Sequence, residues 1–176
     1  MKTKPQRILA SLLLLTMIVT PAYAGCGQDL CLGPCTYQEL IYGTTFNTNC
    51  SQWVYSGTGN AWEKVGNNGW AKLVGTGDVS QTLAITDSYS HMELAFDIPK
   101  VVSSPGTERL YVEIVSNGSV VETVAVIYPN TSQVNFSAAI GNYSLQTVAI
   151  RFRYSAGATP GNTVFRVDNA AWFGYY

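Results

Sequence analysis

The chain has 176 residues, of which 47% are hydrophobic and only 12% are charged. Its 11 Asp and Glu are nearly balanced by 10 Lys and Arg, giving a formal net charge of −1 at pH 7. This length and apolar content suffice for one domain with a sizeable core. The charge balance argues against a nucleic-acid-binding protein.

The N-terminal segment has the three parts of a secretory signal peptide. They are a basic start, an apolar stretch and a small-x-small cleavage motif: Lys2, Lys4 and Arg7; residues 8–19; and Ala22-Tyr23-Ala24. We predict that residues 1–24 are a signal peptide and that the mature chain, beginning at Gly25, is secreted. The apolar stretch is short for a membrane span, so no stable transmembrane anchor is expected.

Removal of this segment would take away three basic residues and no acidic ones, leaving a formal charge of −4. No basic patch is expected in the remaining chain. Nucleic acid and anionic membranes are therefore disfavoured as partners.

Four cysteines cluster at the start of the predicted mature chain: Cys26, Cys31, Cys35 and Cys50. An even number of cysteines in a secreted chain predicts disulfide bonds, and three pairings are possible. Their spacing matches no common zinc motif. Lipidation of Cys26 is an alternative, but it would leave an odd number of cysteines. We predict that disulfides attach a Cys-rich segment, residues 25–50, to the rest of the domain.

A short helix is predicted just after Pro34. Thr36 and Glu39 have the spacing of a capping box, which favours a turn or two of helix through Tyr37 to Ile41. It is the one helix expected in the mature chain.

From Thr44 onward the pattern indicates β-structure, because short runs of Val, Ile, Thr and aromatic residues are separated by Gly, Asn, Ser and Pro. The predicted strands are 52–55, 61–65, 71–75, 79–85, 92–98, 109–116, 120–128, 133–137, 146–154 and 164–173. Asn117-Gly118 predicts a two-residue hairpin turn. About ten half-buried strands without intervening helices predict an all-β fold, an antiparallel β-sandwich over residues 44–176.

The closing strand, residues 163–173, has apolar residues on both faces, which predicts a central position in its sheet. Alternation places Phe165 and Phe173 on one face and Trp172 on the other. Asp168 lies within this apolar run and needs a partner, because an unpaired buried carboxylate is costly. We expect that partner to connect the end of the chain to its beginning.

The order of several motifs is familiar. They are Phe46-Asn47, Trp53, Gly69-Trp70-Ala71, and residues 79–83, 92–97, 145–153 and 165–169. Together they resemble the galactose-binding-like jelly rolls, especially the carbohydrate-binding modules attached to xylanases and glucanases. The resemblance covers residues 44–173 and implies a jelly-roll sandwich.

The resemblance also implies a structural calcium that bridges the two chain ends. In such modules the closing Asp binds the metal together with an acidic residue near the opening strand. Asp168 matches the first position, and Asn47 occupies the second, where many relatives carry Glu. Calcium prefers several hard oxygen ligands, so this departure weakens the site. The cysteine cluster could replace the metal as the element that holds this seam together.

Catalysis is not expected. The one histidine, His91, occupies a solvent-facing strand position, and no Gly-x-Ser-x-Gly motif is present. A glycosidase needs two carboxylates flanking a cleft. The candidates by residue type all fall on predicted solvated strand faces or loops: Asp97, Glu108, Glu113 and Glu122. We therefore predict that the protein is not an enzyme.

Several aromatic residues are candidates for sugar binding, because sugar rings stack their C–H faces on aromatic planes. Trp62 lies in a Gly- and Asn-rich stretch, and we predict that it stacks on a ligand; a core position is the alternative. Its predicted polar partners are Glu63, Asn67 and Asn68. Tyr111 and Tyr128 are predicted on a concave face, whereas Trp53 and Trp70 are expected in the core.

These patterns favour a secreted, non-catalytic module that binds a polysaccharide or other glycan. The alternative is a structural or adhesive extracellular domain that contacts surface or matrix proteins. An open groove lined by two or more exposed aromatic residues would favour the first function.

Overall fold

The computed structural model describes residues 37–99, 101–102, 106–129, 133–158 and 162–176. These residues form β-strands and no helix: β1 (Tyr37–Glu39), β2 (Val54–Tyr55), β3 (Ala61–Val65), β4 (Asn68–Leu73), β5 (Gly77–Ala84), β6 (His91–Ile98), β7 (Val101–Val102), β8 (Arg109–Ser116), β9 (Ser119–Ile127), β10 (Val134–Ile140), β11 (Thr147–Ser155) and β12 (Val164–Tyr175).

The predicted signal peptide and Cys26, Cys31 and Cys35 lie outside these residues. Secretion and the disulfides therefore stay predictions. The described part of the chain has no helix that could span a bilayer.

The strands form two antiparallel sheets. One has the order β10-β6-β12-β4-β3, with β1 and β7 also paired to β12, and the other has the order β2-β5-β11-β8-β9. The sheets pack face to face: Phe96 of β6 contacts Phe152 of β11, with ring centroids 5.5 Å apart, and Tyr154 contacts Phe165 at 5.9 Å. The predicted all-β sandwich is confirmed.

Inward and outward side chains alternate in the long strands, as expected for half-buried strands. In β6, β8 and β11 the apolar residues at alternate positions are buried: Met92, Leu94, Phe96, Ile98, Leu110, Val112, Ile114, Val148, Ile150, Phe152 and Tyr154. The hairpin between β8 and β9 turns at Asn117 and Gly118, whose φ angles of 50° and 78° are those of the turn predicted for this pair.

The closing strand β12 is central in its sheet, as predicted, but its alternation changes part-way along. The pairing with β6 shifts between Asp168 and Ala171, and Asn169 has a φ of 48°. This β-bulge inserts an extra residue, so Trp172 points into the core with Phe165 while Phe173 points outward. The prediction that Phe165 and Phe173 share a face is therefore wrong.

The start of the described chain is a strand, so the predicted helix at Tyr37 is wrong. β1 pairs with the end of β12, which supplies inter-strand hydrogen bonds in place of those of a helical turn. Farther along, the Leu40 amide donates to the Trp172 carbonyl at 2.7 Å, and the Ala170 amide donates to the Thr44 carbonyl at 3.0 Å. Backbone hydrogen bonds thus connect the two ends of the domain.

Candidate functional site

The outer face of the five-stranded sheet brings together charged and aromatic side chains from β8 and β11. The pairing of these strands places Tyr111 opposite Arg153 and Glu113 opposite Arg151. Their neighbours along each strand point into the core, so these four side chains point outward.

Glu113 is enclosed by two arginines. Its Oε2 accepts hydrogen bonds from Nε and Nη2 of Arg151 at 2.9 and 2.7 Å and from Nε of Arg153 at 3.1 Å. Its Oε1 accepts from Nη2 of Arg153 at 2.6 Å. Only 3% of the Glu113 side chain is exposed, so the expectation of a solvated carboxylate is wrong. Burial disfavours its charge, but the two arginines outweigh burial and lower the pKa of its carboxyl group.

Two tyrosines on this face each lie against an arginine. The guanidinium carbon of Arg153 is 4.4 Å from the ring centroid of Tyr111, and that of Arg109 is 4.3 Å from the ring centroid of Tyr128. These are cation–π distances. Tyr128 remains 50% exposed, while Tyr111 is half-buried. The structure therefore places both predicted tyrosines on one surface.

We call this surface the tyrosine–arginine face and define it by six residues: Arg109, Tyr111, Glu113, Tyr128, Arg151 and Arg153. The arginines and Glu113 were not among the predicted site residues. Alternation within β8 and β11 already indicated that they point outward. What the sequence pattern could not give was the pairing of these two strands, since 38 residues separate Glu113 from Arg151.

A second group, the tryptophan cluster, lies on the other sheet and consists of Glu63, Trp70, Lys72 and Arg166. Glu63 accepts a hydrogen bond from Nε of Arg166 at 2.7 Å and contacts Nζ of Lys72 at 3.1 Å. The guanidinium carbon of Arg166 is 5.6 Å from the ring centroid of Trp70. The Arg166 hydrogen bond is the main reason that the pKa of Glu63 is lowered, and Lys72 adds to it against the effect of burial.

A mainly apolar cavity of about 220 Å³ adjoins this cluster and is lined by Val65, Trp70, Pro99 and Arg166. Trp70 is half-buried on the outer face of β4, so the expectation that it lies in the core is wrong. Trp53, by contrast, is buried as predicted.

The residues predicted around Trp62 are only partly brought together. Trp62 lies opposite the buried Ala71 and packs against the core, and its Nε1 donates to the Phe46 carbonyl at 2.6 Å. Glu63 points to the opposite face, because neighbouring residues in a strand alternate. Asn67 and Asn68 are exposed at the turn between β3 and β4. Trp62 is thus half-buried, and its role in ligand binding stays a prediction.

Both residues of the expected calcium site have polar partners of their own. Oδ1 of Asn47 accepts from the Gly69 amide at 3.2 Å, and Oδ1 of Asp168 accepts from the Asn169 amide at 2.8 Å. Asp168 lies opposite Asp97, and burial together with that second carboxylate raises the pKa of Asp168. The described residues contain no group of three or more His, Cys, Asp or Glu side chains arranged to hold a metal. Calcium at Asp168 and Asn47 stays a prediction.

The sequence patterns missed a third aromatic group, on the outer face of the seven-stranded sheet. The Tyr37 ring contacts Phe173 and Tyr175 with centroids 5.5 and 5.9 Å apart, and His91 stacks on Tyr175 at 4.3 Å. The patterns missed this group because they predicted a helix at Tyr37 and did not indicate the bulge at Asn169, which turns Phe173 outward. The alternation of Ala171, Phe173 and Tyr175 after the bulge was the available signal.

Solved structures that match this fold include carbohydrate-binding modules. A mutant of a family 29 carbohydrate-binding module superposes with a TM-score of 0.50 and 17% sequence identity, covering 78% of this chain and 91% of that chain. The chain has the fold of a family 29 carbohydrate-binding module. The predicted resemblance to jelly-roll carbohydrate-binding modules is thereby confirmed at the level of the fold.

A family 29 module mutant complexed with cellulohexaose matches with a TM-score of 0.50 and 17% identity, covering 78% of this chain and 90% of that one. The enzymatically active domain of a bacteriophage CBA120 tailspike protein matches with a TM-score of 0.51 and 14% identity. That match covers 78% of this chain but only 21% of the tailspike chain. No family model and no curated protein matches the sequence.

Proposed function

We propose that this chain is a secreted, non-catalytic carbohydrate-binding module and that its tyrosine–arginine face binds the glycan. One observation carries the proposal: two tyrosines lie on the same outer sheet face, each held against an arginine. This combination of aromatic planes and fixed polar groups suits a sugar chain, whose rings are apolar on their C–H faces and polar at their rims.

The ring positions are fixed before a ligand arrives. Arg153 is held by Glu113 and in turn lies over Tyr111, while Arg109 donates from Nη1 to the Glu108 carbonyl at 2.7 Å and lies over Tyr128. A binding surface with prearranged side chains loses less conformational entropy on association. The exposed half of the Tyr128 surface then provides a place for a sugar ring to stack.

The fold supports the same function, because one matching structure is a carbohydrate-binding module complexed with cellulohexaose. Cellulohexaose is therefore the first neutral ligand to test. Glu113 is hydrogen-bonded to two arginines and is therefore not free to transfer a proton, so we give no residue of this face a catalytic role.

Affinity gel electrophoresis against soluble glycans, followed by calorimetry with cellulohexaose, tests this proposal. We expect the parent chain to be retained and Tyr111→Ala/Tyr128→Ala to bind at least tenfold more weakly, which is the loss of about 1.4 kcal/mol expected for two ring contacts. Tyr37→Ala is the matched control, because Tyr37 is 46% exposed but lies on the other sheet.

Other binding results would place the site on a different surface or favour a different function. Loss of binding with Tyr37→Ala but not with the double variant would move the site to the seven-stranded sheet. Loss with Trp70→Ala alone would move it to the tryptophan cluster. No binding of the parent chain to any glycan would favour the alternative, a structural or adhesive domain that contacts surface or matrix proteins.

A further inference from the structure

The tyrosine–arginine face is also the place where the chain concentrates its arginines. Arg109, Arg151 and Arg153 are three of the five arginines in the sequence. The overall acidic balance of the predicted mature chain gave no indication that these three arginines lie on one sheet face. We propose, on the basis of the function proposed above, that this face selects acidic glycans, whose sugars carry carboxylate or sulfate groups, over neutral ones.

On this face the side chains of Arg151 and Arg153 are more exposed to solvent than the carboxylate that pairs with them. Glu113 is enclosed, with 3% of its side chain exposed, whereas the side chains of Arg151 and Arg153 are 22% and 34% exposed. Asp78 of the neighbouring strand β5 lies opposite Arg153 and is half-buried. The other outward positions of β5 and β9 are neutral residues: Ser80, Thr82, Val120, Thr123 and Val126. Among the described residues, this face therefore presents three guanidinium groups and the carboxylate of Asp78 to a ligand. The carboxylate on β9, that of Glu122, instead accepts hydrogen bonds from the Tyr143 hydroxyl at 2.7 Å and the Gly141 amide at 3.0 Å.

The arginines also retain hydrogen-bonding capacity. The described hydrogen bonds use two N–H groups of Arg151, two of Arg153 and one of Arg109. A guanidinium has five N–H donors, and its planar pairs of donors match a carboxylate or sulfate oxygen pair. Each arginine can therefore bind an acidic group without releasing its present partner.

The spacing of the arginines allows two of them to share one acidic group. Arg109 lies opposite Ser155, two residues from Arg153, so Arg109 and Arg153 are diagonal neighbours across β8 and β11. Such positions are roughly 7–8 Å apart, within the combined reach of two long side chains. The tyrosines stack against the same arginines, which places a sugar ring and its acidic substituent within one surface.

Arg109 is the position for the test, because replacing Arg151 or Arg153 would remove a partner of the buried Glu113. The probes are polygalacturonate, which carries carboxylates, dextran sulfate, which carries sulfates, and cellulohexaose, which is neutral. We expect the parent chain to bind at least one acidic probe about tenfold more tightly than cellulohexaose, and Arg109→Gln to lose about tenfold in that affinity alone. Lys64→Gln is the charge-matched control, since Lys64 is exposed on β3 of the other sheet.

The preference should weaken with added salt, because ionic contacts at a surface are screened. Binding of polygalacturonate but not dextran sulfate would identify carboxylate as the group recognised, and the reverse would identify sulfate. Binding of cellulohexaose with no preference for either acidic probe would overturn this inference and leave the proposed function standing. Equal losses in Arg109→Gln and Lys64→Gln would also overturn it, because they would indicate a general charge effect. Failure of the parent chain to bind any glycan would overturn both proposals.

Discussion

The tyrosine–arginine face and the tryptophan cluster are built from similar parts but differ in burial. Each contains a carboxylate between two cations and an aromatic ring beside an arginine. Glu113 lies on β8, which has β9 and β11 as neighbours on its two sides, and 3% of its side chain is exposed. Glu63 lies on β3 at the edge of its sheet, and 23% of its side chain is exposed. The position of the strand in the sheet thus decides how far the same set of charges is removed from water.

That difference changes what the two groups do. A surface ion pair contributes little to stability, because water screens it and its side chains lose freedom. An enclosed carboxylate with two arginines fixes the geometry of all three side chains, and removing one member leaves a charge without a partner. We therefore expect the Glu113 group to govern both stability and the shape of the binding face, and the Glu63 group to affect stability only slightly.

The largest effect is expected for Glu113→Gln. This variant leaves Arg151 and Arg153 adjacent without a counter-charge, and breaking a buried pair of this kind costs about 3–5 kcal/mol. Urea denaturation monitored by tryptophan fluorescence measures the free energy of unfolding directly. A loss below about 1 kcal/mol would mean that water already stabilises these charges, and the contrast with Glu63 would disappear.

Trp62→Ala should give the next largest loss, about 2–3 kcal/mol, because it removes a half-buried indole that packs on the core. It also leaves the Phe46 carbonyl without the Nε1 donor now 2.6 Å away. Trp62 and Glu63 are neighbours on β3, so the variant tests whether core packing by Trp62 keeps Glu63 in position in the tryptophan cluster. Trp62→Phe is the control, since it keeps an aromatic ring but not the N–H. An unchanged melting temperature in Trp62→Ala, with glycan binding lost, would instead support Trp62 as a stacking residue.

Much of the fold could be predicted from the sequence because strand alternation is a local property. β6, β8 and β11 carry apolar residues at alternate positions, and these residues are the ones that the structure buries. The predictions failed where a long-range pairing competes with a local signal. Thr36 and Glu39 have the spacing of a helix cap, yet Tyr37–Glu39 pairs with β12. The bulge at Asn169 likewise shifts the pairing of β12 with β6, so a single alternation assumed along the whole closing strand failed after Asp168.

The candidate site was less predictable than the fold. Tyr111 and Tyr128 could be identified as outward-facing aromatic residues, but the arginines that hold them come from different strands. Neighbouring positions such as Trp62 and Glu63 were grouped because they are close in sequence. Alternation places them on opposite faces, so closeness in sequence was a poor guide to a shared site.

A smaller effect is expected for Glu63→Gln, about 1 kcal/mol at pH 7, because this carboxylate is partly exposed. The effect should depend on pH. The pKa of Glu63 is lowered in the folded chain, so its contribution is present above the unfolded value of about 4.3 and is lost as the pH falls through the folded value. Parent and variant should therefore differ at pH 7 and converge near pH 3. A difference that stays constant over this range would show that charge is not its source.

The smallest effect is expected at Asp168, whose surroundings are the opposite of those of Glu113 and Glu63. Its carboxylate lies opposite Asp97 rather than between cations, and it accepts one hydrogen bond from the neighbouring Asn169 amide. Asp168→Asn keeps an oxygen acceptor and removes a repulsive charge, so in chelator we expect the free energy of unfolding to change by less than about 0.5 kcal/mol.

The predicted calcium site at the same residue has its own test, which is the effect of added calcium on the melting temperature. If Asp168 and Asn47 hold the ion, added calcium should raise the melting temperature of the parent chain and leave that of Asp168→Asn unchanged, because a ligand that binds only the folded state stabilises it. Glu93→Gln is the control, since it removes a carboxylate from the same sheet at another position of β6. Equal melting temperatures of the parent with calcium and with EDTA would rule out a stabilising metal here, and the backbone hydrogen bonds from Leu40 and Ala170 would then suffice to join the two ends of the domain.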